Sequence, residues 1–159
     1  KKLFGGEEKE EKIIAAPVSG KAIPMGQVSD PTFSQEILGK GTAVIPSDGR
    51  VVAPADGLVT MVFDTKHAIS MQTDNGAELI IHIGLDTVQL KGQYFEAHVA
   101  AGDKVKQGDL LLDFEIDKIK EAGYDVTTPV IICNTPQFPK MECRNGMEVK
   151  AGETAIIKL

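Results

Sequence analysis

Two histidines carry most of the chemistry this chain offers. His82 lies in ELIIHIGLDTVQLKG at 78–92, an imidazole inside an aliphatic run, followed at once by Ile83, Gly84, Leu85, Asp86 and Thr87. Three readings compete for it: a buried core histidine, a zinc ligand, or a nucleophile. In a strand over 78–83 successive side chains alternate, so Leu79, Ile81 and Ile83 face one way and Glu78, Ile80 and His82 the other. The apolar face is the core, which puts His82 on the more polar face and weighs against a purely structural role. Gly84 has no side chain to shield the ring and lets another backbone or a ligand approach. Asp86 and Thr87 offer an acceptor and a hydroxyl as the chain leaves the strand.

His67 lies in FDTKHAIS at 63–70. Thr65, two residues earlier, shares a face with it if the segment is extended, and its hydroxyl would then fix the imidazole tautomer. The same parity groups His67 with Ile69 and Met71, so either a bulge or a strand end is expected at His67. His98, in FEAHVAAGD, has no such neighbours and reads as a surface residue. The two cysteines, Cys133 and Cys143, form neither a CxxC pair nor a dense framework, which fits a reducing compartment. Cys133, in PVIIC, reads as ordinary strand packing.

The elements that must hold these residues are short β-prone runs punctuated by Gly, Pro and Asp, at 58–63, 68–73, 78–84, 127–133 and 154–159. Turn signals about every 8–12 residues predict an all-β fold, an antiparallel sandwich or barrel. Helical signals are confined to FSQEILG at 33–39 and IDKIKEAGY at 116–124, each about two turns at most. APVSGKAI at 16–23 returns as APADGLVT at 53–60, and GDKVKQGDLLL at 102–112 returns as GMEVKAGETAI at 146–156. Glycine supplies positive φ at turns, so a repeated glycine spacing implies a repeated turn and an internally duplicated β motif.

With 159 residues, one domain is expected. A net charge of −6 argues against a phosphate-backbone partner, so no nucleic acid is expected. No apolar run approaches the roughly 18–20 residues that cross a bilayer, and no secretory core opens the sequence. A cytoplasmic protein without direct membrane insertion is expected. The opening KKLFGGEEKEEK sets four lysines against four glutamates and reads as a disordered tail or linker over 1–12, leaving 13–159 as the folded domain. The chain begins with Lys rather than Met, so attachment to a larger protein stays open.

FDTKHAIS, GAELIIHIGLDTVQLKG and the APxxG and GDxVxxGD signatures, in this order, resemble the glucose-type enzyme IIA of the bacterial phosphoenolpyruvate-dependent sugar phosphotransferase system. The resemblance spans Ile13 to Leu159. It implies a β-sandwich phosphocarrier in which His82 takes a phosphoryl group on Nε2 from the phosphohistidine of HPr and passes it to a cysteine of the enzyme IIB domain of a sugar permease. It makes His67 the second active-site histidine, Thr65 its hydroxyl partner and Asp86 an acidic residue beside the site. The residue types suit that chemistry, because an imidazole of pKa about 6.5 is about three-quarters neutral at pH 7 and its N–P bond is labile. No resident cofactor or metal is implied. Two imidazoles that share a phosphoryl group would also share zinc, weakly and adventitiously, since they leave a tetrahedral ion two ligands short. Phe33, Phe63, Ile69 and Met71 flank the motifs; the resemblance favours an exposed Phe33 in a docking rim, and the other three fit rim or core equally well.

Rival readings come from the same residues. His82 and Asp86 match the HxGxD ligand pair of lysostaphin-type zinc endopeptidases, but the HxH that usually supplies the third ligand is missing. The GDKVKQGDLLL rhythm suggests a biotinyl or lipoyl carrier, without the modified-lysine tip of those domains. A regulatory binding module would use the same face for regulatory protein partners. A IIA domain never touches the sugar, so glucose, β-glucoside and sucrose specificity are equally compatible with this chain.

Overall fold

A computed structural model of the chain describes residues 12–159. The tail expected over 1–12 therefore falls outside the described residues, Lys12 excepted. The strands are β1 (Ile13–Ala15), β2 (Gly20–Pro24), β3 (Lys40–Pro46), β4 (Arg50–Val52), β5 (Gly57–Val62), β6 (Ala68–Thr73), β7 (Glu78–His82), β8 (Phe95–Ala97), β9 (Lys104–Val105), β10 (Leu110–Phe114), β11 (Thr128–Ile132), β12 (Glu142–Cys143), β13 (Glu148–Val149) and β14 (Ala155–Lys158). Two short helices, α1 (Pro31–Ser34) and α2 (Ile116–Glu121), and three single 3-10 turns complete the described chain.

All pairings are antiparallel. One large sheet runs β13-β2-β3-β11-β7-β6-β5-β9, and two three-stranded sheets run β1-β14-β12 and β4-β10-β8. The large sheet is open at β13 and β9, so the sandwich alternative holds and no barrel closes. Leu79 and Ile81 of β7, Val130 and Ile132 of β11 and Val59 of β5 pack from the large sheet against Ile14, Val51, Leu111, Leu112, Ile156 and Ile157 of the small ones. Each such fully buried aliphatic side chain contributes about 1.5–3 kcal/mol.

The duplication is written in the backbone bonds. Ala15 N–H donates to Pro54 C=O and Val52 N–H to Pro17 C=O, so the two APxxG segments clasp each other reciprocally. Gly152 N–H donates to Ala16 C=O as Gly108 does to Ala53, and Gly146 to Ala22 as Gly102 does to Val59. In the second pair of segments the glycines do share positive φ, 99° at Gly102 and 86° at Gly146. In the first pair they differ: Gly20 has φ 152° and Gly57 is not positive. What those two share is closeness to the neighbouring strand, since a Cβ would lie 2.0 Å from Ile45 O at Gly20 and 2.5 Å from Gln72 O at Gly57.

The outer face of the large sheet carries a second, smaller apolar cluster. Met25, Val28 and Phe33, from the segment between β2 and β3, cover Ala43 and Ile131 together with Leu85. That segment turns on Asp30, whose carboxylate accepts the Thr32 N–H at 2.9 Å ahead of Pro31, the usual opening of a helix. Both helices are shorter than expected. The first spans Pro31–Ser34 instead of 33–39, because Glu36 takes a left-handed φ of 59° and leaves Ile37 and Leu38 exposed. The second ends at Glu121, ahead of Gly123 at φ 93°. Among the described residues no helix is long and apolar enough to cross a membrane.

Candidate active site

His82 ends β7, and its cross-strand partner is Ala68, the first residue of β6. His67 precedes Ala68, so both imidazoles reach the same end of the sheet, and the His67 carbonyl accepts the Ile83 N–H at 2.7 Å. The strand-end reading of His67 is the correct one; the bulge nearby belongs to β5, between Val59 and Met61. The burial pattern along β7 follows the expected alternation, with Leu79 and Ile81 buried and Ile80 and His82 half-buried. The 63–67 link is a turn and not an extended segment, closed by Lys66 N–H on Phe63 C=O at 2.7 Å with Lys66 at φ 61°. The turn still brings the Thr65 hydroxyl to His67 Nδ1, at 2.5 Å.

The two rings stand edge to face, centroids 4.9 Å apart and planes at 82°. Phe33 flanks His82 at 4.8 Å and Phe63 flanks His67 at 5.5 Å. Both imidazoles line a depression of about 320 Å³ shared with Asp30, Phe33, Leu38, Phe63, Asp86 and Val88. A roomier depression of about 440 Å³ by Ile13, Asp56 and Asp74 has no histidine or cysteine in its lining, so size does not locate the chemistry.

His82 Nδ1 lies 2.7 Å from Gly84 O. A carbonyl only accepts, so Nδ1 carries the hydrogen and the neutral ring keeps its lone pair on Nε2. Burial lowers the His82 pKa, while the Gly84 carbonyl and the charges of Asp30 and Asp86 pull it the other way. Burial, with the neighbouring His82, lowers His67 from 6.5 to about 4. Both rings are thus biased toward the neutral form, in which a nitrogen is nucleophilic or a selective donor.

All four expected site residues gather here, but not in equal roles. Asp86 is exposed, at φ 60°, and acts on His82 through its charge without a hydrogen bond to either ring. The Thr87 hydroxyl is not offered to the site, because it is buried on the Ile83 carbonyl at 2.5 Å. Phe33 is not an exposed rim residue: it is only 5% accessible and backs His82 from the outer-face cluster. Ile69 and Met71 belong to the main core. Leu38 and Val88, 44% and 43% exposed, form the rim instead. Asp30 and those two were not singled out; the Asp30-Pro31 pair, a helix-opening signature, is the signal that marks where the covering segment turns.

One further residue differs from expectation, and His98 lies on the surface as expected. Cys133 is exposed rather than packed, one residue past the end of β11. His98 is on the surface but has neighbours, with Nε2 2.8 Å from Asp113 Oδ2 and Glu96 close by. Among the described residues these three are the only group of metal-type donors within 4.8 Å of one another. Among the described residues no group of three metal-type donors includes His82 and Asp86, and the endopeptidase reading has no support.

The comparisons agree with this geometry. Residues 12–138 match the family model described as phosphoenolpyruvate-dependent sugar phosphotransferase system, EIIA 1. A glucose-specific EIIA component of Halalkalibacterium halodurans is 45% identical across 100% of this chain and 96% of its own length. A β-glucoside-specific EIIBCA component of Bacillus subtilis is 51% identical over 82% of this chain, which spans 22% of that longer protein. The glucose permease IIA of Mycoplasma capricolum superposes with a TM-score of 0.85 at 32% identity, over 98% of this chain and 99% of that one. Fold and site together define a phosphotransferase that relays phosphoryl groups between proteins in sugar uptake. The chain belongs to the EIIA 1 family of the phosphoenolpyruvate-dependent sugar phosphotransferase system. The Bacillus subtilis relative is named an EIIBCA component, so the part of it that matches this chain is joined to EIIB in one polypeptide.

Proposed function

We propose that His82 is the phosphoryl carrier, taking the group from the phosphohistidine of HPr and giving it to a cysteine of an enzyme IIB domain in the cytoplasm. The observation that carries this reading is the Nδ1–H bond to Gly84 O at 2.7 Å, which leaves Nε2 unprotonated toward the depression. In the first step the Nε2 lone pair forms an N–P bond as the donor's N–P bond breaks. The ring, with Nδ1 still protonated, becomes an imidazolium beside Asp30 and Asp86. In the second step a thiolate forms an S–P bond, the His82 N–P bond breaks, and a neutral imidazole leaves. His82 itself therefore neither gains nor loses a proton during the relay.

His67 has the complementary role. With the Thr65 hydroxyl donating to Nδ1, the proton of the neutral ring stands on Nε2, where it donates to a phosphoryl oxygen. In-line transfer then depends on placement and on donors aimed at the migrating group. Zinc would seek the same His82 nitrogen, so it should compete with transfer and a chelator should leave transfer intact.

Incubation with phosphoenolpyruvate, enzyme I and HPr tests the reading. Wild-type protein should acquire one acid-labile phosphate and His82→Gln none; labelled His82→Gln protein would refute it. His67→Gln should still accept phosphate but donate poorly to IIB, and equal loss of both half-reactions would assign His67 to acceptance itself.

A further inference from the structure

The peptide joining Gly84 to Leu85 is held from both sides. Its carbonyl accepts His82 Nδ1–H at 2.7 Å, and its N–H donates to the Asp125 carbonyl at 2.9 Å. The C=O and N–H of one trans peptide point in opposite directions. Asp125, the 84–85 peptide and the imidazole thus form one chain of hydrogen bonds, whose members polarise one another. The phosphoryl relay as described above makes no use of Asp125.

Asp125 is itself fixed. Its Oδ1 accepts the Thr127 N–H at 2.8 Å and the Thr127 hydroxyl at 2.7 Å, a side-chain turn that sets the direction of its carbonyl just ahead of β11. The contact with the histidine loop is close, since a Cβ on Gly84 would lie 2.9 Å from Asp125 O and 2.5 Å from Thr87 Cγ2. Gly84, at φ 82°, is the residue type that this approach tolerates.

We propose that Asp125 is a positioning residue for phosphoryl transfer: its carbonyl, aimed by the turn to Thr127, orients and polarises the Gly84–Leu85 peptide so that His82 is held as the Nδ1–H tautomer with Nε2 free. An imidazole in water prefers the opposite tautomer, so an ordering device has a task here. The proposal rests on His82 being the phosphoryl acceptor, but its test does not.

The test is nitrogen NMR of the unphosphorylated chain at pH 8, reading the His82 tautomer directly with His67 as an internal control. Asp125→Ala removes the Oδ1 acceptor, whereas Asp125→Asn keeps an oxygen there. Wild type and Asp125→Asn should show His82 protonated on Nδ1. Asp125→Ala should shift His82 toward the Nε2–H form, leave His67 in place, and slow acceptance several-fold in kcat with KM for the donor little changed. A lower melting temperature in Asp125→Ala with the His82 tautomer unaltered would reduce Asp125 to a structural role and overturn the proposal. Should Asp125→Ala fail to fold, Thr127→Val, which removes one of the two bonds to Oδ1, must give a smaller tautomer shift of the same sign, and no shift overturns it. A His82 that proves not to accept phosphate would leave this spectroscopic result as decisive as before.

Discussion

His67 and His82 are neighbours held by unlike partners, a threonine hydroxyl and a backbone carbonyl. The buried ring of His67 also makes the protein acid-sensitive in a predictable window. In the folded chain it stays neutral down to about 4, whereas in the unfolded chain it takes a proton near 6.5. Between those values the unfolded state binds more protons, so stability falls as pH falls; above about pH 7 the group has no effect. His82, also lowered, contributes with the same sign. Urea midpoints at pH 7 and pH 5 should therefore drop less in His67→Gln than in wild type, and equal drops would show that the ring titrates normally. At this scale the sequence revealed the face of His82 by strand parity, whereas Thr65 meets His67 through a turn and not through the extended segment that their spacing assumed. The sequence concealed Asp30 and the burial of Phe33, because both depend on a segment about fifty residues earlier folding over the outer face. The His98–Asp113 bond was hidden for a similar reason, as it links the residue just past β8 to β10, two strands whose pairing no local pattern announces.

At the scale of elements, the site depends on how closely β3, β11, β7 and β6 lie side by side. Gly41 of β3 sits against Val130 of β11, where an added Cβ would lie 1.8 Å from the carbonyl oxygen. Gly41→Ala must push β3 away from β11, and a loss of more than about 2 kcal/mol is expected in denaturant titration. A variant as stable as wild type would mean that the strands separate without cost. The strands β2, β3 and β10 are five to seven residues long and were passed over, whereas β5, β6, β7, β11 and β14 were legible as β-prone runs between turn signals. The two-residue strands β9, β12 and β13 were not, since so short a run has no period to read. The first helix was overextended because Ile37 and Leu38 continue a helical composition past the point where Glu36 turns left-handed; both are exposed, and Leu38 lines the depression at the histidines.

Over the whole molecule, the duplicated segments interlock rather than sit side by side, each supplying the hydrogen-bond acceptor that the other's strand requires. The repeat in the sequence announced this, but the reciprocity of the clasp is a property of the fold. The two ends of the described chain also meet: Leu159 N–H donates to Lys12 C=O at 2.8 Å, and Asn75 anchors Ile13 at 3.1 Å. Joining them by a short linker and opening the chain at the exposed turn between Ala100 and Ala101 should yield a circular permutant that melts within a few degrees of wild type and still accepts phosphate. An unfolded permutant would show that chain order, beyond packing, is required. Asn75 follows one end of β6 and His67 precedes the other, so six residues of strand, about 20 Å, separate the joined ends from the histidines. Any tether attached at Lys12 or Leu159 thus leaves from the pole opposite the reactive one. A flexible tether of ten residues has a root-mean-square reach of about 17–19 Å, and a domain swung on it presents its histidines outward, with the linker clear of the face that carries them. Fusion at either end then raises the effective concentration of a partner domain into the millimolar range without altering a single contact at the site.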